Sequence, residues 1–301
     1  MGYRLILFFA VLMMACQPSD KEEEKPQIVT TTGMIADAVK NIVGETAEVE
    51  ALMGPGVDPH LYKATQGDLQ RLTEADIIFY NGLHLEGKMG EILEKLSRQK
   101  PVIAVAAEID TSLLFRVPQF NNNYDPHIWF DVSLWSTAVR HITISMIKQQ
   151  PLNKELYLAN EAIYQSRLDS LNVFVKNEMA SIPPRQRVLI TAHDAFGYFG
   201  KAYDIEVKGL QGISTISEYG LRDVSDLVDF IIERKIKAVF VETSVSEKAI
   251  NAVVQGCKQS GFDVQIGGNL YSDAMGKAGT PEGTYIGMVK ANVSTIVNAL
   301  K

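Results

Sequence analysis

The sequence predicts an α/β protein of two small domains, each with a mainly parallel four-stranded sheet, bridged by one long rigid α-helix. Three observations predict it. Short β-rich apolar runs alternate with amphipathic helical stretches, and the alternation occurs twice, with four strand candidates in each half. Between the halves lies one helical stretch with no internal Pro or Gly and with proline at both ends. Nearly continuous apolar strands joined by helices are the pattern of parallel sheets covered by helices.

Residues 1–15 read as a signal peptide: Arg4 supplies the positive end, and Leu5 to Met14 form an apolar run too short to span a membrane. It closes on Ala15-Cys16, the pattern of a bacterial lipoprotein signal in which Cys16 becomes a lipidated N-terminus. An ordinary cleaved signal with an incidental cysteine is the alternative. Residues 16–27 are polar and charged and read as a solvated tether. Beyond them no segment approaches the roughly 20 apolar residues of a membrane span. The net charge is −7, and loss of Arg4 makes it more negative, which argues against nucleic acid as a partner. Beyond the expected lipidated Cys16 only Cys257 remains in the mature body, so no internal disulfide is expected.

In the first half (28–150) the strand candidates are 28–32, 47–53, 75–81 and 101–106, with helical patterns at 34–43, 64–74, 88–99 and 133–147. The bridging helix is placed at 151–182, with Leu152, Leu156, Ile163, Leu171, Val175 and Met179 as its apolar face. About 30 residues at 1.5 Å each would run roughly 45 Å, the length of a two-domain body. The competing reading is a plain core helix of one larger domain. In the second half (183–301) the strands are 187–192, 205–210, 237–243 and 263–269, and the helices are 195–203, 221–234, 247–259 and 284–300.

The chemistry-bearing signal is a tripeptide, Asp-Pro-His, that occurs at 58–60 and again at 125–127. With 11 prolines and 5 histidines in 301 residues, chance order makes such a repetition rare. Proline stiffens the backbone and holds the preceding Asp extended. A nearby carboxylate can take one imidazole N–H and leave the other nitrogen for a metal. In open α/β sheets, ligands bind beyond the C-terminal ends of strands. His60, His193 and Asp273 fall after strands there, and His127 lies at the approach to the 133–147 helix. Three imidazoles and a carboxylate suit Zn²⁺ or Mn²⁺. From residues alone, His193 and Asp273 could equally be a core histidine and a helix cap. His84 also follows a strand and competes for the site, whereas His141 reads as structural. Glu242 reads as a buried hydrogen-bond acceptor beside the site.

The segments VTTTGMIADAVKNI, LMGPGVDPHLY, YNGLHLEGKMGE, DPHIWFDVSLW, TAHDAFGYF, EVKGLQGIST and YSDAMG resemble the zinc/manganese solute-binding proteins of bacterial ABC importers, the cluster A-I metal-binding lipoproteins. The resemblance runs from about residue 28 to residue 300, with the motifs in the same order. It implies metal held in a cleft between two α/β domains by His60, His127, His193 and Asp273, with His84 outside the set. It further implies one transported Zn²⁺ or Mn²⁺ per chain, no enzymatic activity, a membrane permease as partner, an extracytoplasmic monomer, and a lipid anchor at Cys16. Manganese-selective relatives often carry Glu where this chain has His193, and dedicated zinc binders often carry a His-rich loop where LLFRVPQFNNNY has none. Both metals therefore fit the resemblance. Two rival readings remain. A zinc hydrolase would need an open metal position, and the chain has no HExxH. A surface adhesin would hold an incidental structural metal.

Overall fold

The computed structural model of the protein describes residues 25–301. The expected signal peptide, Cys16 and the tether up to residue 24 lie outside the described residues. The first half contains β1 (Gln27–Thr30), α1 (Gly33–Val43), β2 (Glu48–Ala51), α2 (Gln66–Glu74), β3 (Ile77–Tyr80), α3 (Gly90–Ser97) and β4 (Val102–Ala104). Its sheet is wholly parallel in the order β2-β1-β3-β4, with Ile28 opposite Val49 on one side and Ile77 on the other. The expected helix at 64–74 starts two residues later because Thr65 caps it. The Thr65 hydroxyl accepts the Asp68 amide, and the Asp68 carboxylate accepts the Thr65 amide. A two-residue antiparallel ribbon, β5 (Arg116–Val117) and β6 (Asn123–Tyr124), folds the segment that the sequence leaves without structure.

Helix α4 (Val132–Gln149) and the long α5 (Lys154–Ala180) lead into the second half. There β7 (Val188–His193), α6 (Gly197–Tyr203), β8 (Glu206–Gln211), α7 (Leu221–Arg234), β9 (Ala238–Glu242), α8 (Lys248–Gln259), β10 (Gln265–Leu270) and α9 (Tyr285–Leu300) complete the chain. The expected four strands are present and pair in parallel as β7 with β8 and β9 with β10. The two pairs lie side by side through β7 and β9, giving the spatial order β8-β7-β9-β10.

Both sheets are covered on two faces. Helices α2 and α3, with Met89 just before α3, bury Leu72, Met89 and Leu93 against the outer face of the first sheet. Helices α7 and α8 bury Leu227, Ile231, Ile250 and Val253 against the outer face of the second. The inner faces share one apolar core. It runs from Ile28 and Phe79 through α1, α4 and α5 to α6, Phe240 and α9. Helix α5 therefore packs on α1 and α4 on one side and on α6 and α9 on the other.

The apolar face expected for α5 is correct only in its second half. Leu171, Val175 and Met179 are buried, but Leu152 is fully exposed and Ile163 is 63% exposed. Tyr157, Tyr164 and Leu168 hold the inner positions instead. An apolar count misses the tyrosines because their hydroxyls are polar, yet each hydroxyl has a part-buried partner. Tyr164 donates to Asp37 of α1 at 3.0 Å, and Tyr157 bonds Gln150 and Thr46. Proline at 151 opens a 3₁₀ turn rather than the helix itself, so α5 has 27 residues and spans about 40 Å.

Candidate metal centre

The four expected donors stand at the end of a strand or in a loop that follows one. His60 lies in the loop after β2, whose course depends on Gly56: its φ is +71°, and a Cβ there would stand 3.3 Å from the Thr243 carbonyl oxygen of the second half. His127 follows β6 and precedes the turn into α4, where Asp131 caps the helix through the Ser133 amide. His193 is the last residue of β7, paired with Gln211 of β8. That ladder closes tightly over Gly209, where any Cβ would stand 2.5 Å from the Asp194 amide nitrogen. Asp273 lies in the loop after β10, and the indole N–H of Trp129 donates to the carbonyl of the preceding Ser272.

The four side chains converge. His60 Nε2 and His127 Nε2 are 3.3 Å apart, and Asp273 Oδ1 is 3.4 Å from His127 Nε2. Asp273 Oδ2 is 3.3 Å from His193 Nε2 and 3.8 Å from His60 Nε2. All four donor atoms lie within 4.8 Å of one another, and every one of these residues is at least 98% buried. Neither Asp273 oxygen finds a well-directed hydrogen bond. A buried carboxylate left in that condition is costly unless a cation occupies the space its oxygens face. The donor set therefore fits a divalent ion with borderline ligand preference. Because both Asp273 oxygens face inward, it can offer one or two of them.

Other carboxylates orient two of the imidazoles. Asp125 Oδ1 accepts the His127 amide at 2.9 Å and lies 2.7 Å from its Nδ1. Glu242 Oε1 accepts the His193 amide at 2.9 Å, while Oε2 lies 2.5 Å from His193 Nδ1. Glu242 thus sits where the sequence reading put it, beside the site as a buried acceptor. The Asp-Pro-His expectation holds for Asp125 but not for Asp58, whose Oδ1 takes the amides of His60 and Leu61 and leaves the imidazole alone.

The electrostatics follow. Burial pushes the His60 imidazole down to about 3 and keeps it neutral. Burial also opposes protonation of His127, but Asp125 and Asp273 outweigh it and raise the group to about 9. Burial acts the same way on His193, and Glu242 and Asp273 lift it well above its ordinary value. Burial would raise Asp273, yet the neighbouring His193 and His127 hold it well below the carboxylate range. The surrounding carboxylates thus favour protonation of His127 and His193 in the absence of an ion. His84 stands apart from this cluster, exposed on a loop with φ +66°. His141 lies partly buried in α4, also outside it.

The profile of a family described as "Zinc-uptake complex component A periplasmic" matches residues 28–299. The manganese-binding lipoprotein MntA of Bacillus subtilis is 50% identical over 299 residues, covering 98% of this chain and 97% of that protein. The zinc-binding protein TroA of Treponema pallidum is 51% identical over 276 residues, covering 92% of this chain and 89% of its own length. The solved structure of the periplasmic zinc-binding TroA from Treponema pallidum superposes with a TM-score of 0.90, covering 92% of this chain and 99% of that one.

Proposed function

The chain belongs to the family of periplasmic zinc-uptake components, the metal-binding solute-binding proteins of zinc and manganese ABC importers, and from that premise we propose that His60, His127, His193 and Asp273 clamp one Zn²⁺ or Mn²⁺ between its halves. The protein works outside the cytoplasm, capturing a divalent transition metal and delivering it to a membrane permease. The observation that carries the site is the meeting of four buried donors, two from each half, with neither Asp273 oxygen hydrogen-bonded among the described residues.

The mechanism follows from the donors. Neutral imidazoles and an ionised carboxylate are the ligating forms, so capture displaces the protons that His127 and His193 hold. Asp125 and Glu242 keep each ring's Nε2 turned toward the ion. Four protein donors leave little room for an activated water, which argues for a carrier without hydrolytic activity. Delivery then requires the halves, or the loops that bear the donors, to part at the permease. We assign residues 28–150 and 183–301 to the two domains and 151–182 to the bridge. We further assign a monomer held to the membrane by a lipid on Cys16, after cleavage of residues 1–15.

His60→Ala tests the site. The variant should lose most of the thermal stabilisation that added zinc or manganese gives the parent, a shift of RT ln(1 + [L]/Kd) at a given free metal concentration. Full stabilisation of the variant would remove His60 from the site.

A further inference from the structure

Of the four donors, His60 is held differently from the rest. Carboxylates grip His127 and His193 at Nδ1, whereas His60 is tethered through its backbone, by the Asp58 oxygen that accepts its amide at 2.8 Å. The other Asp58 oxygen crosses to the second half, where Thr215 Oγ1 donates to it at 2.6 Å over 157 positions of chain. Thr215 is itself held. The Gln211 amide donates to the carbonyls of Thr215 at 2.7 Å and Ser217 at 2.6 Å, and Gln211 lies opposite His193 in the ladder of β7 and β8. A continuous relay from His193 through Gln211, Thr215 and Asp58 to His60 therefore joins donors of opposite halves without passing through the ion.

We infer that the Thr215–Asp58 hydrogen bond is a latch on the His60 loop, and that Thr215 is a positioning residue setting how fast the bound ion leaves. Ion exit needs one donor to withdraw, and His60 is the donor whose ring no neighbouring carboxylate grips among the described residues. Its loop cannot swing outward while Asp58 is bonded to the opposite half. The bond is part-buried and charge-assisted, so breaking it costs more than losing an exposed neutral contact. Leu61 and Ile216, the residues next to the relay on either side, are each 49% exposed. The latch therefore lies at the rim of the cleft, where it can open without disturbing the core.

This inference rests on the proposed site, and the test separates the two. Zinc alone, and manganese alone, are loaded on the full chain, and release is followed by chelator challenge in stopped flow. Thr215→Val keeps the shape and removes the donor. It should speed release about tenfold or more, with association little changed and the metal-free protein still folded, its melting lowered only by the loss of one part-buried hydrogen bond. Thr215→Ser, which restores a hydroxyl, should bring release back toward the parent rate. Parent-like release from Thr215→Val, or release from Thr215→Ser as fast as from Thr215→Val, overturns the latch. Gln211→Ala, which frees the turn at its other end, gives a second reading should Thr215→Val not fold: faster release supports the latch and unchanged release overturns it. Loss of binding in His60→Ala with unchanged release in Thr215→Val sinks the latch alone, whereas parent-like affinity in His60→Ala sinks the site.

Discussion

Glu242 ends β9 with one carboxylate oxygen accepting the His193 amide and the other 2.5 Å from Nδ1, an ion-pair contact rather than a well-directed hydrogen bond. An imidazole so held presents Nε2 in one direction, and as the proposed metal ligand it would be made a better donor by the anion behind it. Glu242→Gln should therefore lower metal affinity by about 10- to 100-fold while leaving the circular-dichroism spectrum intact, as a competition titration would measure. Unchanged affinity would mean that the pair only fills space. That His60, His127, His193 and Asp273 come together was legible from the paired Asp-Pro-His segments, the strand ends and the family resemblance. What each carboxylate does was not. Asp58 and Asp125 occupy the same position in the same tripeptide, yet one serves its own imidazole and the other serves a hydroxyl 157 positions away. That difference depends on which loop of the second half faces each motif, a tertiary fact with no local sequence signal.

At the scale of elements, α5 shows where periodicity succeeds and where it fails. The uninterrupted run between prolines located the helix, and the spacing of Leu171, Val175 and Met179 found the half of its face that is purely aliphatic. The first turns bury Tyr157 and Tyr164, whose rings do the packing while their hydroxyls bond across to other helices. Leu152, Leu156 and Ile163 share similar spacing but point away from the core. The two classes should separate on mutation. Leu171→Ala should cost about 2–5 kcal/mol in chemical denaturation, because α1, α4, α6 and α9 hold the surroundings of the cavity in place. Ile163→Thr should stay within about 0.5 kcal/mol of the parent. Equal losses would mean that the aliphatic stripe read from the sequence is the true inner face. The ribbon β5–β6 was not legible, since two-residue strands carry no periodicity at all.

For the whole molecule, metal and protons compete for one buried set of charges. His127 is raised from its ordinary value of 6.5 to about 9, and His193 is raised well above it. Groups raised in the folded state stabilise it fully below their unfolded value, and that contribution is lost as pH rises through the folded one. The metal-free protein is thus supported by protons near pH 6 and loses that support toward pH 9, where the ion meets least competition. At a constant excess of free zinc, the rise in melting temperature over the metal-free protein should grow between about pH 6 and pH 8.5. Scanning calorimetry would measure it, and a rise that shrinks over this range would contradict the assignment of protons to these imidazoles. The core shared by α1, α4, α5, α6 and α9 gives that competition a wider reach. A chain severed on either side of α5 would leave that core open to water, so neither half is expected to melt alone. The shared core thus holds the halves together whether or not the ion is bound, and the proposed grip at four atoms draws on every residue that keeps those halves in register.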